Sequence, residues 1–589
     1  MLRKFYIRDA WGSYLVINSN GFLSRENGMR VTLWHNGQNN SLGVMTGASG
    51  VIDFSINGIQ RQSGKYIFQI LREEEADPRD YRNVFFKSDD NGLFLCQPEY
   101  SLAEVNRSLI GKWETFRLEL HDELFSPHEV SACDLLLQAR GASLNSSHLV
   151  QIMKAAPFDV LTLIVSDLIN SLSNIALKIL VEEMVRDKEF ADLIIAALPE
   201  DIWTMRCLPA NLSVCRSVPV DSNFSHCGRE FDEFGNYQIY NTGLNNASSA
   251  MRLNSCLRAK VRPSKSLCVL AVARNEGVYL PEWIAYHKAI GVEHFYIYSN
   301  NNDDGSDELL ETLSEAGIIT YIRNDVGINI VPQIKAYTHA LSCLPGILDY
   351  RWCAIIDIDE FIAVDRTQYN SFSDLLLYHE KLGSDAIALN WLMFTPSEKK
   401  SFQTSGLVKS FFYRQPAVDS HVKTVIRPGL FFTSSPHSPR TIEPNVRTFH
   451  NANGKQHADK FGAHADHTES PSDKGAWIAH YHLKSTQDFL WKMSRGTGMD
   501  PNVSSRVTIR EDFINFFTNL FSNSGKMFDD RMTKQSRGME IWLEHFSLLP
   551  NFKEVYDQCW NNYMVKTSKI KNEVSEAQSP YLRDLSKFL

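Results

Sequence analysis

From residue 266 onward, short apolar runs of strand length alternate with stretches whose apolar residues recur at helical spacing. "SLCVLAVAR" reads as a buried strand, and "YLPEWIAYHKAIG" as an amphipathic helix stopped at Gly291. "HFYIYSN" and "IITYIR" continue as strands, with "SDELLETLSEAG" as the helix between them. "VPQIKAYTHALSCLPG" is helical again, and "WCAIIDIDEFIAV" completes the series as one fourth strand. The alternation predicts a mainly parallel α/β sheet flanked by helices, with ligands bound beyond the carboxyl ends of its strands.

Other parts of the chain carry other periods. Residues 1–122 show short alternating runs broken by Gly, Asn and Asp, which predict an all-β domain. Runs beginning at Gly12, Gly50 and Gly92 repeat at about 40 residues, which suggests a threefold barrel. The run "GKWETFRLEL", Gly111 to Leu120, resembles the closing strand of fascin-like β-trefoil domains. Residues 123–262 begin with helical periodicity and pass, from about residue 209, into an Asn/Ser/Gly-rich stretch read as an irregular linker. Residues 263–500 form the α/β domain, and 501–589 a helical C-terminal region.

Composition narrows the function classes. A chain of 589 residues is too long for one core, so several domains are expected. A net charge of −9 without a long Lys/Arg run argues against a dedicated nucleic-acid binder, whose affinity comes from neutralising phosphates. Every apolar stretch falls short of the ~18 residues that a membrane span needs. "MLRKFYIRDAWG" lacks the apolar core of a secretory signal, and the ten cysteines include no CxxC pair. These features predict a cytoplasmic protein.

Four clusters of chemistry-bearing residues should meet on one rim of the sheet. They are Arg274-Asn275-Glu276-Gly277, the acidic turn from Ser299 through Asp303 and Asp304 to Glu308, the acids Asp357, Asp359 and Glu360, and His480 and His482 followed by Lys484. On a strand, Asp357 and Asp359 would share a face, as would His480 and His482. Paired carboxylates with imidazole nearby suit Mn²⁺ or Mg²⁺ holding a diphosphate. Ser485 and Asp488 form a capping-box pair, which places a helix N-terminus beside the same anion. Each cluster alone is commonplace, because D-x-D is frequent on surfaces and "NNNDDGS" is an ordinary turn. Their order along the chain favours a shared site.

"VARNEGVYLPEWIAYHKAIGVEHFYIYSNNNDDGS", "DIDEFI", "LNWLMF", "VKTVIRP", "SPHSP" and "AHYHLKSTQDFLWKMSRG" resemble, as an ordered set, GT-A glycosyltransferases of the family 2-like and family 92 group. The resemblance spans about residues 266–497 and implies a nucleotide-sugar donor, most readily a UDP-sugar, transferred to a glycan or other hydroxyl acceptor with inversion. It implies donor contacts at Asn275, Glu276, Asp303, Asp304 and Lys484, and a Mn²⁺ or Mg²⁺ ion held by Asp357, Asp359, His480 and His482. Glu360 would stand behind the ion or cap the next turn. Trp391, Lys423 and Arg427 become acceptor or phosphate candidates, with Trp391 a possible sugar platform. The catalytic base is unassigned among Glu398, Asp419 and Glu443. "WLMFTPSE" departs from the Gly-containing turn usual in the family, so acceptor identity carries over least.

The trefoil would then bind carbohydrate or a protein partner. One competing reading is a catalytically inactive binding module. Another is a nucleotidyltransferase, but that would need a Gly-rich triphosphate loop after the first strand, and "ARNEGVYLPEW" has a single Gly.

Overall fold

A computed structural model describes residues 3–17, 23–24, 29–35, 41–46, 52–56, 59–63, 65–72, 83–88, 93–98, 104–120, 146–172, 174–217, 227–236, 247–442, 447–457, 463–495, 511–576, 585 and 587–588. The chain forms two compact units, Met1–Arg216 with Asn241–Leu257, and Ser217–Tyr240 with Arg258–Leu589.

The first unit is β-rich and then helical, as the periodicity predicts. Its first strand, Arg3–Arg8, pairs antiparallel with Arg117–Leu120, so the "GKWETFRLEL" segment closes back on the start of the chain. Several of the turns on which a threefold repeat rests lie outside the described residues. Helices follow at Ser146–Ala155, Phe158–Ser171, Asn174–Arg186 and Lys188–Ala197.

The linker expected from residue 209 is partly helical instead, with helices at Leu208–Cys215 and Ser249–Lys260. Asn and Ser disfavour helix because their side chains compete for backbone hydrogen bonds. Here those side chains have buried partners. Asn254 Nδ2 donates to the Trp203 and Ala250 carbonyls, while Asn211 donates to Asn254 Oδ1 at 2.8 Å. Arg252 donates to the carbonyls of Ile169, Asn170 and Leu172 at a helix end, where the i+4 amides are missing.

The second unit carries the α/β pattern. Its strands are β1 (Lys265–Ala273), β2 (His294–Ser299), β3 (Ile319–Arg323), β4 (Tyr350–Ile355), β5 (Glu360–Val364), β6 (Ala386–Met393), β7 (Val422–Ile426), β8 (Phe449–Asn451) and β9 (Ala476–His480). The helices used below are α1 (Leu280–Ala289), α2 (Ser306–Glu315), α3 (Pro332–Ser342), α4 (Thr486–Arg495), α5 (Glu511–Phe521) and α6 (Phe552–Glu576). The sheet order is β3-β2-β1-β4-β7-β6-β9-β5, with β8 beside β6. β1 to β4 are mutually parallel, whereas β7 enters antiparallel to both β4 and β6.

One expectation is corrected at the acids. "WCAIIDIDEFIAV" is two strands, because β4 ends at Ile355 and β5 begins at Glu360. β4 pairs with β1 and β7, whereas β5 pairs antiparallel with β9, so the chain changes partners between them. Ile356 and Ile358 are fully buried and extend the apolar pattern across the break, which hides it. Asp357 and Asp359 therefore sit in a turn and not on one face of a strand. Glu360 fastens that turn by accepting the Asp357 amide at 2.9 Å, so it closes the turn before it and not the next one.

Buried polar bonds lock helices to this frame. Trp283 and Tyr286 of α1 donate to the Glu360 and Ile362 carbonyls at 2.8 and 2.7 Å. The capping box at α4 forms as expected, with the Ser485 amide donating to Asp488 and the Asp488 amide to Ser485 Oγ. Asp488 also accepts the hydroxyls of Tyr279 at 2.6 Å and Tyr563 at 2.8 Å, which ties α4 to α6. Removing it strips a helix cap and strands two buried hydroxyls. Asp488→Ala is expected to cost about 2–4 kcal/mol in urea unfolding, and a loss under ~1 kcal/mol would show that the tie contributes little.

Candidate functional site

At the carboxyl end of β4, the turn brings Asp359 beneath the end of β9. Asp359 is 4% exposed, and its ligand atoms, with those of His480 and His482, lie within 4.8 Å of one another. Asp359 Oδ1 is 3.5 Å from His480 Nε2. β9 stops at His480, so His482 and Lys484 reach the site from the loop beyond, where Lys484 adopts a φ of 56°. The Tyr481 amide donates to the Asp359 carbonyl at 2.9 Å and fixes this loop on the turn.

Basic side chains crowd the same carboxylate. Lys492 Nζ lies 2.7 Å from Asp359 Oδ2 and 3.0 Å from His482 Nδ1, and Lys484 Nζ lies 3.7 Å from Asp359 Oδ2. Burial opposes charge on Asp359, but Lys492, Lys484 and His480 outweigh it and hold the carboxyl well below its ordinary range. Burial pushes both imidazoles toward the neutral form, His482 furthest. Glu276 pairs with Arg495 at 2.8 Å, yet burial still raises its carboxyl.

Asp357 belongs to a neighbouring arrangement. Its Oδ2 accepts from Lys423 Nζ at 2.7 Å and its Oδ1 from Gln333 at 3.3 Å. Lys423 is fully buried and also faces Glu360 Oε2 at 3.4 Å. Burial works against its charge, but Asp357 and Glu360 hold its ammonium above the ordinary value. Glu360 Oε1 has no hydrogen-bond partner, and burial pushes that carboxyl well upward.

The expected donor contacts divide by what they already hold. Asn275, at φ 51°, donates its amide to Asn302 and accepts the Asp303 amide, so it staples the first two strand-end loops together. Asp304 accepts from the Gly277 amide and from the Ser306 amide and hydroxyl, which is a structural cap on α2. Asp303 is paired with Lys566 of α6 at 2.6 Å. A Cβ at Gly277 would meet Cys559 Sγ of the same helix at 2.7 Å, so this residue permits the close approach.

Of the acceptor candidates, Trp391 adjoins the cluster, with its ring centroid 4.4 Å from His480. His421 stacks on the indole at 4.9 Å and 14°, so that face is not open to a sugar. Arg427 does not join the site. It lies at the far end of β7, its Nε bonded to the Ser384 carbonyl at 2.7 Å and its guanidinium 4.9 Å over Trp352. Four residues of strand from Lys423 amount to about 13 Å. Among the possible bases, Glu398 accepts the Asn523 amide, Asp419 bonds His421, and Glu443 lies outside the described residues.

Lys492 and Arg495 were not singled out from sequence. They stand three positions apart on α4, which puts them on one face, and the capping box just upstream was the available signal.

The donor set Asp359, His480 and His482 fits a divalent metal ion. It offers one carboxylate and two neutral imidazoles, and the buried His480 Nδ1 has no hydrogen-bond partner. Lys492 presses a fixed positive charge against two of these donors. Lys492→Met removes the charge and is expected to tighten Mn²⁺ binding about tenfold, or ~1.4 kcal/mol. Titration followed by electron paramagnetic resonance measures this, and unchanged affinity would show that the ammonium does not compete.

Comparison with known proteins gives first a class. The chain is 30% identical over 172 residues to a glycosyltransferase family 92 protein of Oryza sativa subsp. japonica, covering 28% of each chain. It is 28% identical over 168 residues to one of Ricinus communis, again covering 28% of each, and 30% identical over 179 residues to one of Arabidopsis thaliana, covering 28% of this chain and 30% of that one. The particular family follows from the match of residues 266–515, the segment holding this site, to the Glycosyltransferase family 92 model.

The chain spans under a third of the length of these relatives. Among solved structures, S. aureus TarS 1-349 is 9% identical with a TM-score of 0.20, covering 55% of this chain and 88% of that one. HddC from Yersinia pseudotuberculosis is 12% identical with a TM-score of 0.16, covering 28% and 74%. Overlaps this slight carry no argument.

Proposed function

We propose that the protein is a metal-dependent glycosyltransferase that moves a sugar from a UDP-sugar to a hydroxyl of a glycan or similar acceptor, with inversion. Asp359, His480 and His482 would hold a Mn²⁺ ion, whose chemistry is to neutralise the diphosphate as it leaves. The observation that carries this reading is the convergence of Lys484 and Lys492 on the buried, ionised Asp359, with the Arg495–Glu276 pair beside them, beyond the ends of parallel strands. Three basic side chains facing two acids, with burial pushing the Glu276 carboxyl upward, favour a polyanionic ligand.

In this account Lys484 and Lys492 bind the diphosphate oxygens and stabilise the charge that develops as the anomeric bond breaks. Glu276 and Arg495 set the depth of the nucleoside pocket, and Asn275 and Asp304 shape its loops. Asp303 is the acid left nearest solvent to meet the ribose or base. Asp357 acts through Lys423 by holding the turn in place. A GT-A arrangement of the catalytic domain agrees with the strand order and with the location of the site. For the N-terminal β domain we propose a trefoil that binds acceptor carbohydrate or a partner protein. The cysteine pattern supports a cytoplasmic location.

UDP release from a panel of UDP-sugars tests the reading directly. Mn²⁺ is expected to support release and EDTA to abolish it, and equal signals would remove the metal. Asp359→Asn, a near-isostere, is expected to lower turnover about 10³-fold or more, comparable with losing a key electrostatic group, while circular dichroism stays unchanged. Full activity in that variant would contradict the assignment.

A further inference from the structure

The wall beside the cluster carries a second chemical unit. Asp419 Oδ1 accepts both the His421 amide, at 2.9 Å, and His421 Nδ1, at 2.7 Å. These two bonds fix the ring and leave the Nε2 lone pair pointing away from the carboxylate. The imidazole lies flat on the Trp391 indole at 4.9 Å, and that indole meets the His480 ring at 4.4 Å and 63°. One aromatic ring therefore separates the pair from the proposed metal cluster. His437, at 5.5 Å, and His467, at 4.1 Å, flank His421 on its other sides. The side chain of His421 remains 38% exposed, unlike the buried Asp359 and His480.

We propose that His421 is the general base of transfer and that Asp419 positions it. The proposal rests on the glycosyltransferase reading above and supplies the proton acceptor which that reading leaves open. His421 Nε2 takes the proton of the acceptor hydroxyl as its oxygen bonds to the anomeric carbon. The bond from that carbon to the diphosphate oxygen breaks, and its electron pair leaves with UDP. The imidazolium then returns the proton to solvent. Asp419 selects the tautomer protonated on Nδ1 and stabilises the cation once it forms, the arrangement that makes an Asp–His pair a base. Trp391 acts as the spacer, because a flat ring on one side and His480 against it set how far the base stands from the leaving group.

The competing view makes Asp419 a turn-forming residue, since its bond to the His421 amide is a local Asx turn. That role needs only the carboxylate and is indifferent to the imidazole.

Transfer kinetics on His421→Gln and His421→Gly separate the two, with UDP-glucose, UDP-galactose and UDP-N-acetylglucosamine as donors and methyl glycosides as acceptors. Both variants are expected to lose about 10²-fold or more in kcat, within the range for general-base removal. Calorimetry with UDP and Mn²⁺ is expected to give Kd values within threefold of the unsubstituted chain. Added imidazole is expected to restore His421→Gly in part, which a structural defect would not allow. Asp419→Asn is expected to lower kcat with KM held, and Asp419→Glu to recover part of the loss. A kcat within threefold of normal for His421→Gln, or a loss that imidazole leaves untouched, overturns the proposal while the transferase reading stands. An unsubstituted chain that binds no UDP overturns both.

Discussion

The buried charge on Asp359 is the constraint from which the rest of the site follows. A carboxylate 4% exposed stays ionised only if its surroundings replace the hydration it has lost. Lys492 at 2.7 Å, Lys484 at 3.7 Å and His480 at 3.5 Å provide that replacement, from α4, from the loop after β9 and from the end of β9 respectively. Folding that brings β9 beside β5 therefore also assembles the cluster. β5 and β9 pair with Glu360 opposite His480, so the register of two strands decides whether the acid and the imidazole meet. A slip of one residue would turn both away.

Around that charge the domain divides its polar groups between holding and acting. Asn275, Asp304, Asp357 and Glu360 are spent on loops and turns, with amides and ammonium groups as their partners. Lys484, Lys492 and the half-exposed His421 are the groups that we propose meet a ligand. The helix Phe552–Glu576, which lies beyond the family-matched residues, reinforces the loops from outside through Tyr563, Asn562 and Lys566. Its contacts fall on Asp488, on the Asp303 carboxylate and on the backbone of Asp303 and Asp304, so it braces the start of α4 and the loop after β2.

Much of the second unit was legible in the chain because parallel strands buried on both faces are written as continuous apolar runs. The turn at Asp357–Asp359 was not, since Ile356 and Ile358 are buried like strand residues and carry the pattern across it. The helix Ser249–Lys260 was hidden by its Asn and Ser residues, among which Asn254 and Ser249 have partners some 40 to 80 positions away in sequence. For the site, residue type and order along the chain singled out Asp357, Asp359, His480 and His482, of which the fold brings the last three together while Asp357 joins Lys423. Lys492, Arg495 and His421 carry no such mark. Their importance comes from what stands beside them, and Arg427 shows the converse, being drawn in by proximity along the chain and placed by the strand at the opposite end.

The central claim is that one cation binds where Asp359, His480 and His482 converge. An anomalous difference map from crystals grown with MnCl₂ and UDP, recorded near the manganese edge, examines it most directly. The account predicts a single peak within bonding distance of all three side chains, with the Lys492 ammonium moved off Asp359 toward the diphosphate. A peak at Asp357 and Lys423, or UDP bound with Lys492 still seated on Asp359 and no manganese, would contradict it.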